Sequence, residues 1–393
     1  MFELVDTEKA AKIMVIGVGG AGGNAINNMI DSDLRGVKFI VANTDAQALE
    51  ISKAQVKVQL GQKLTQGLGA GANPHIGREA ARENEEMIRA ALEGSHMVFI
   101  TAGFGGGTGT GAAPVIADIC KDLGVLTVAV VSKPFSFEGK KRMKMAEDGL
   151  AELRERADTV ITIPNDRLRG LACKNARMVD MFRRADEILL HSVKGITDLI
   201  MIPGLINLDF ADVKTTMSKA GLAIMGIGIG TGENRAVEAA ERAISHPLLE
   251  DISISGAKGV LINITSTSDI TMDEMTEASE RIFNEVGDDA DIIWGTALDE
   301  TLGDEMRVTV IATGIGGDVR SKKKRTEDST FGGKVRDITP DDMKSAVDYD
   351  EPTFIRQKEA VGESNGATYR GYRGLVIDNN DLDIPTFLRR KAD

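Results

Sequence analysis

The chain is predicted to fold as an α/β protein: a Rossmann-like parallel-sheet domain, a long central helix, a second smaller α/β domain and a disordered C-terminal tail. Three observations predict it. From residue 12 onward, short apolar runs alternate with longer helical patterns, the order that builds a parallel sheet flanked by helices. Two glycine-rich segments each stand between an apolar run and a helical pattern. After residue 317 the periodicity stops. At 393 residues the chain is long enough for two or three domains with sizeable cores.

In order, strands are expected at 12–18, 39–42, 97–101, 127–131 and 159–163, with helices at 22–29, 74–92, 113–123 and 138–156 between them. A long periodic segment, 176–201, reads as one helix stopped by Pro203 and Gly204. Beyond it come a helix at 209–220, a strand at 222–228, a helix at 234–245, a strand at 259–265 and a helix at 272–286. Strands at 291–298 and 307–313, contiguous in sequence and antiparallel, complete the second domain. The units are then 1–175, 176–202, 203–317, a linker at 318–380 and a terminal peptide at 381–393.

Composition excludes several classes. Lys and Arg number 47 against 60 Asp and Glu, a net charge of −13, and residues 318–393 carry 15 of each sign, so the body holds the whole excess. Such a body repels nucleic-acid and lipid phosphates. Only Cys120 and Cys173 are present, too few for a disulfide framework or thiolate cluster, which points to a reducing cytoplasm. Acids precede the first apolar run, unlike a secretory leader, and no apolar run approaches the ~18–20 residues that span a membrane. His75, His96, His191 and His246 are scattered without ligand spacing and receive no metal role. Glycine, at 43 residues, is in excess, as expected where backbone closely approaches a ligand.

The first glycine loop, 17–24, reads GVGGAGGN. Gly17, Gly19 and Gly22 match the dinucleotide spacing, which lets backbone N–H groups and a helix N-terminus meet a phosphate. The same spacing serves close helix–strand packing. A nicotinamide site also needs an acid ending the second strand about 20 residues on; here the strand ends in Asn43-Thr44-Asp45, and that acid comes 28 residues after Gly17. The second loop is stronger: residues 105–111 read GGGTGTG. A segment so rich in glycine is reasonable where the backbone itself is the binding surface. Neither loop carries a P-loop Lys-Ser/Thr, so backbone amides and threonine hydroxyls would hold a polyphosphate. A third segment, GLGAGANP at 67–74, also ends at a helix start.

With GVGGAGGNA, NTDAQAL, GAGANP, GGGTGTG, KPFSFEGKKR, TIPND, NLDFADVK and DIPTFLRR in this order and spacing, the sequence resembles the FtsZ family of tubulin-related GTPases. The likeness covers 12–317 and resumes at 381–393. It implies GTP or GDP as ligand, Mg²⁺ with the phosphates, GTP hydrolysis, and head-to-tail filaments in the division ring at midcell. The residues it implies around GTP are Gly20, Ala21, Gly22, Gly23, Asn24, Asn43, Thr44, Ala70, Gly71, Ala72, Asn73, Gly103, Gly105, Gly106, Gly107, Thr108, Gly109, Thr110 and Pro134. Glu138 and Arg142 would meet ribose and phosphate; Asn165, Phe182 and Asp186 would recognise guanine. Helical spacing alone reads Phe182 as core and Asn165 as a turn former.

The resemblance also assigns catalysis to Asn207, Asp209 and Asp212, entering the site of an adjacent subunit to polarise water and assist the metal. The residues by themselves read first as helix-start chemistry, Asp209 as an N-cap and Asp212 as a first-turn acid. Two further readings stay open on the residues: a nicotinamide-dependent oxidoreductase, and a GTP-binding regulator that does not polymerise. The terminal peptide 381–391 resembles the family's docking motif for FtsA- and ZipA-type membrane tethers and for regulators such as MinC. A second copy precedes it: residues 348–358 match 381–391 at seven of eleven positions. Between body and terminal peptide, roughly 60 residues of flexible coil reach about 45 Å. Its basic cluster, 320–325, reads as a solubilising segment or a lateral filament contact.

Overall fold

The computed structural model describes residues 11–168, 177–202, 204–206, 208–219, 221–249, 254–287 and 290–315, and the backbone of two short strands in the tail. Asn207, Cys173, the cluster 320–325 and both copies of the tail peptide lie outside the described residues.

Residues 1–326 form one unit and 327–393 another. In the first, ten strands make a single sheet: β1 (Ile13–Val18), β2 (Val37–Asn43), β3 (Val56–Gln59), β4 (Met97–Gly103), β5 (Leu126–Lys133), β6 (Thr159–Pro164), β7 (Leu222–Thr231), β8 (Gly259–Ser266), β9 (Asp291–Leu298) and β10 (Glu305–Ile315). Their spatial order is β3-β2-β1-β4-β5-β6-β7-β10-β8-β9. The first six are parallel, in the doubly wound order 3-2-1-4-5-6. Among the described residues β6 meets β7 through two residue pairs, Val160 with Leu222 and Ile161 with Ala223. In the second unit, β11 (Tyr369–Arg370) and β12 (Val376–Ile377) form an antiparallel ribbon, within a stretch where no element was expected.

Helices cover both faces of the sheet, because the central parallel strands are apolar on both sides. Ile13, Val15, Phe39, Val41, Phe99, Val128 and Val130 pack with α1 (Gly19–Asp31) and the long α9 (Met178–Met201). Their neighbours Met14, Ile16, Ile40, Val98, Ile100 and Ala129 face α4 (Pro74–Glu83), α5 (Glu85–Leu92), α6 (Thr108–Asp122) and α7 (Lys140–Arg154). The α9 layer continues over Met225, Leu261 and Ile311 of the later strands, joined there by α10 (Phe210–Met217). A third core sets the opposite face of those strands against α11 (Arg235–Ile244) and α12 (Met272–Val286). α12 begins where expected because Thr271 and Glu274 cap each other, the hydroxyl accepting the Glu274 N–H at 3.2 Å and the carboxylate accepting the Thr271 N–H at 2.9 Å.

Several expectations are corrected. The helix predicted at 74–92 breaks at Asn84, whose φ/ψ of −112°/26° leaves the helical region while its Oδ1 accepts the Gly61 N–H at 2.7 Å. The helices predicted at 22–29 and 113–123 begin earlier, at Gly19 and Thr108, so glycines expected in loops form the first helical turns. Tertiary packing overrides their poor propensity: a Cβ on Gly111 would lie 2.0 Å from the Pro74 carbonyl oxygen, so only glycine lets α6 rest on α4. Pro114 therefore falls inside α6 rather than near its first turn. The helix at 138–156 starts at Lys140, after a 3₁₀ turn. The last two strands do not pair: β8 lies between them, parallel to β9 and antiparallel to β10. The short β3, α2 (Ala46–Glu50), α3 (Gln62–Thr65) and α8 (Asn165–Leu168) had no expected counterpart.

Candidate nucleotide site

In a doubly wound sheet the ligand crevice opens at the carboxyl ends of the strands where their order reverses. That point here lies between β1 and β4, and a cavity of about 310 Å³ occupies it. Its floor is Gly20, Ala21 and Asn24 of α1 with Gly103, Gly106, Gly107, Thr108 and Gly109 after β4; Pro134, Glu138, Arg142, Asn165, Phe182 and Asp186 close its sides.

The two loops divide the labour. Gly17 and Gly22 serve packing: a Cβ on Gly17 would lie 2.4 Å from the Gly22 carbonyl oxygen, and one on Gly22 2.5 Å from that of Thr101. Gly20 faces open space, as a phosphate-approaching residue should. Gly23 faces Val41 and also stands off the cavity. In the second loop the Thr110 hydroxyl accepts the Gly105 N–H at 2.9 Å, bracing the loop from within. Both α1 and α6 point their N-termini at the cavity, bringing free N–H groups and the positive end of each dipole to one place.

The remaining expected residues form a second tier. Thr44 and Thr108 share a hydroxyl–hydroxyl bond of 2.7 Å. Asn43, buried, accepts the Asp45 N–H at 3.3 Å. The loop with Ala70, Gly71, Ala72 and Asn73 is stitched to the same turn by Gly69 N–H donating to Thr44 O at 3.2 Å. It lies against Gly107, where a Cβ would stand 2.8 Å from the Asn73 nitrogen. Asn43, Thr44 and the four loop residues 70–73 do not line the cavity itself, nor do Gly22, Gly23, Gly105 and Thr110. Asp45, the acid a dinucleotide enzyme would turn to ribose, instead caps α2 by accepting the Gln47 N–H at 2.9 Å.

Chemistry that suits guanine gathers at the far wall. Asn165 is buried, and its Oδ1 accepts no hydrogen bond, an acceptor without a donor. Such an orphan is destabilising unless a ligand supplies the N–H. The Asp186 carboxyl is pushed up to about 7, first by burial and then by neighbouring Glu187. Phe182 is 42% exposed rather than core and stands edge-on to Phe135 at 5.4 Å. Arg142 Nη1 donates to Glu138 Oε2 at 2.6 Å. The sequence reading missed Val18, Phe104, Ser132 and Ala185 in the lining, and named Gly19 only for the glycine spacing of the first loop; Ser132 lies one residue before the end of β5, paired with Gly103.

Asp209 and Asp212 do not line this cavity. Asp209 caps α10, its Oδ1 accepting the Asp212 N–H at 2.8 Å, and both side chains are exposed. Phe210, between them, lies with its ring 6.2 Å from that of His96. His96 precedes the first residue of β4, whereas the cavity is at the strand's last residue, Gly103. Seven residues of strand span roughly 20 Å, so the acids sit beside the opposite edge of the sheet. Among the described residues no group of three or more His, Cys, Asp or Glu is arranged to hold a metal ion, and no helix is long and apolar enough to cross a membrane.

Residues 12–172 match the GTPase domain of the Tubulin/FtsZ family and 221–316 the C-terminal domain of the FtsZ family. The chain is 47% identical over its full length to the cell division protein FtsZ of Pseudomonas aeruginosa, also covered in full. It is 48% identical to that of Coxiella burnetii over 99% of both chains. Among solved structures it matches an FtsZ dimer from M. jannaschii with a TM-score of 0.76 and 48% identity, over 79% of this chain and 90% of that one. A GTPγS-bound protofilament of CetZ2 from Haloferax volcanii, 22% identical, shares the fold with a TM-score of 0.68, over 81% and 98% of the two chains. With a crevice at the switch point, two helix N-termini aimed into it and these relatives along its whole length, the chain belongs to the tubulin/FtsZ family, as a GTPase of its cell-division branch.

Proposed function

We propose that this GTPase polymerises head to tail and hydrolyses GTP at the junction between subunits. One chain offers the cavity; Asp209 and Asp212 of the next, with Asn207, complete it. One observation carries this reading: the acids and the cavity lie at opposite edges of the same sheet. Groups roughly 20 Å apart in one chain cannot act on one phosphate, but stacking successive copies along the strand direction would bring them together. Apolar residues exposed near each edge agree with burial in such a stack: Phe137 and Leu68 on one side, 60% and 86% exposed, and Leu205, 63% exposed, close before α10 on the other.

Within the cavity, N–H groups around Gly20, Ala21 and Gly106, Gly107, Thr108 hold the phosphates, the Glu138–Arg142 pair meets the sugar and phosphate, and Asn165 and Asp186 accept from the N1–H and exocyclic amine of guanine. Adenine presents no such donor pair. Mg²⁺ bound with the triphosphate would supply charge neutralisation at the γ-phosphoryl; Asp209 and Asp212 of the next subunit orient the attacking water, and no covalent nucleophile is required. On this reading the working units remain 1–175, 176–202 and 203–317. The peptide 381–391, with 348–358 as a second copy, docks FtsA- or ZipA-type tethers and regulators such as MinC, gathering filaments at the midcell ring under the membrane. Two weak copies raise avidity where tethers are clustered.

A second reading, a GTP-binding regulator that does not polymerise, is favoured by the Asp209–Asp212 bond, which is what a plain helix cap makes. Asp212→Ala separates the two. Its side chain accepts none of the cap bonds, so the split-site reading predicts unchanged GTP affinity and turnover lowered at least about a hundredfold, the scale on which a positioned catalytic group acts. Turnover equal to wild type would leave the acids as caps.

A further inference from the structure

Among the described residues, the turn between β5 and α7 is held by side-chain hydrogen bonds to one residue outside it. It passes through the 3₁₀ segment Ser136–Glu138 to Gly139, whose φ is 100°. The helix that follows is poorly started on its own terms. Gly139 offers no side-chain cap, no acid stands in the first turn, and Lys140, Lys141 and Arg142 bring cations to the positive end of the dipole. Asp166 of α8 supplies the anchor. Its carboxylate accepts the Ser136 N–H at 3.0 and 3.1 Å and the Ser136 hydroxyl at 3.1 Å.

Three cavity features follow that turn. Glu138 Oε1 accepts the Phe135 N–H at 2.9 Å while its Oε2 accepts from Arg142 at 2.6 Å, so the carboxylate and the guanidinium move as one with the turn. Phe135, 1% exposed, stacks on Phe137 at 5.2 Å and meets the edge of Phe182 at 5.4 Å. Asp166 itself does not line the cavity, although the preceding residue, Asn165, does.

We propose that Asp166 is a positioning residue for the guanine nucleotide: by holding the Ser136 turn it sets the Glu138–Arg142 pair and the Phe135–Phe182 contact together. The inference rests on the cavity being the GTP site. Because the acids assigned to hydrolysis stand on α10, loss of this anchor weakens binding and leaves the chemical step alone, a rise in KM without a fall in kcat.

The test uses the full chain, above its assembly threshold, with GTP as the probe. Turnover is followed against GTP concentration for wild type, Asp166→Asn, Asp166→Glu and Ser136→Ala, with a melting curve for each. Charge-assisted bonds of this kind predict a KM about tenfold higher in Asp166→Asn, with maximal turnover within about twofold. Ser136→Ala, which removes one bond of the three, is expected to raise KM about two- to threefold; Asp166→Glu should recover part of the loss. An unchanged KM in a normally melting Asp166→Asn, or a lowered kcat at constant KM, overturns the proposal. Should Asp166→Asn fail to fold, Ser136→Ala decides: a KM equal to wild type overturns it equally. Asp186→Asn serves as the control on the cavity. If that variant binds GTP as wild type does, the reading of the cavity fails, whatever Asp166→Asn shows.

Discussion

Asp186 concentrates the logic of the cavity in one carboxyl group. Burial raises its pKa to about 7, so near neutral pH it gives up its proton reluctantly in the empty site. A folded-state pKa above the unfolded one means stability is highest at low pH and drains as pH climbs from the ordinary carboxylate range to about 7. On the proposed reading guanine reverses the preference, because two N–H donors favour the ionised form. GTP affinity is therefore expected to fall as pH drops below that value, by up to about tenfold per unit. Asp186→Asn should remove that slope, weaken GTP binding, and raise the melting temperature of the nucleotide-free protein at pH 8. Titration calorimetry across pH, paired with thermal melts, checks all three. Gly111 makes the complementary prediction for packing. With the Pro74 carbonyl oxygen 2.0 Å from where a Cβ would stand, Gly111→Ala should lose about 1–3 kcal/mol of stability to overpacking, measured by denaturant unfolding. A loss under about 0.5 kcal/mol would mean that α4 and α6 can part freely.

At the scale of elements, α10 shows why one segment admits two readings. An N-cap wants a short side chain with an accepting oxygen, and Asn serves as well as Asp; polarising water wants the charge. Asp209→Asn should therefore keep the melting temperature and lose turnover, whereas Asp209→Ala should lose turnover and about 1 kcal/mol besides. If Asp209→Asn turned over GTP normally, the residue would be a cap alone. The same tension explains what could be read in advance. Strands buried on both faces, such as β4 and β5, announce themselves as apolar runs, and α12 carries its own capping box. The starts of α1 and α6 were hidden because glycines that propensity assigns to loops are held helical by backbone contacts with distant elements. The break at Asn84 depends on an N–H from Gly61, 23 residues earlier in the chain, and leaves no local mark. Strand order in the C-terminal half was misjudged because contiguity in sequence says nothing of β8 slipping between β9 and β10. In the cavity, glycine motifs marked residues of its floor, yet Phe182 and Asn165 needed the family resemblance, since half-exposure and an orphaned acceptor are properties of the fold.

For the whole molecule the governing fact is polarity. A parallel sheet gathers its helix N-termini and its crevice at one edge, and here the exposed acids of α10 sit beside the other. A molecule with a cavity at one end and candidate catalytic groups at the other is built for a heterologous contact, which repeats along a line when its rotation does not close a ring. On the proposed reading hydrolysis depends on assembly, and the GTP between two subunits is consumed where they meet. The direct measurement is phosphate released per molecule from GTP with Mg²⁺, across protein concentration, with light scattering recorded in the same cuvette. The account predicts almost no turnover below a threshold, then constant activity for each further molecule added, with scattering rising at that same threshold. Turnover per molecule that stays flat from the lowest concentration, with no rise in scattering, would place a complete active site in a single chain and contradict it.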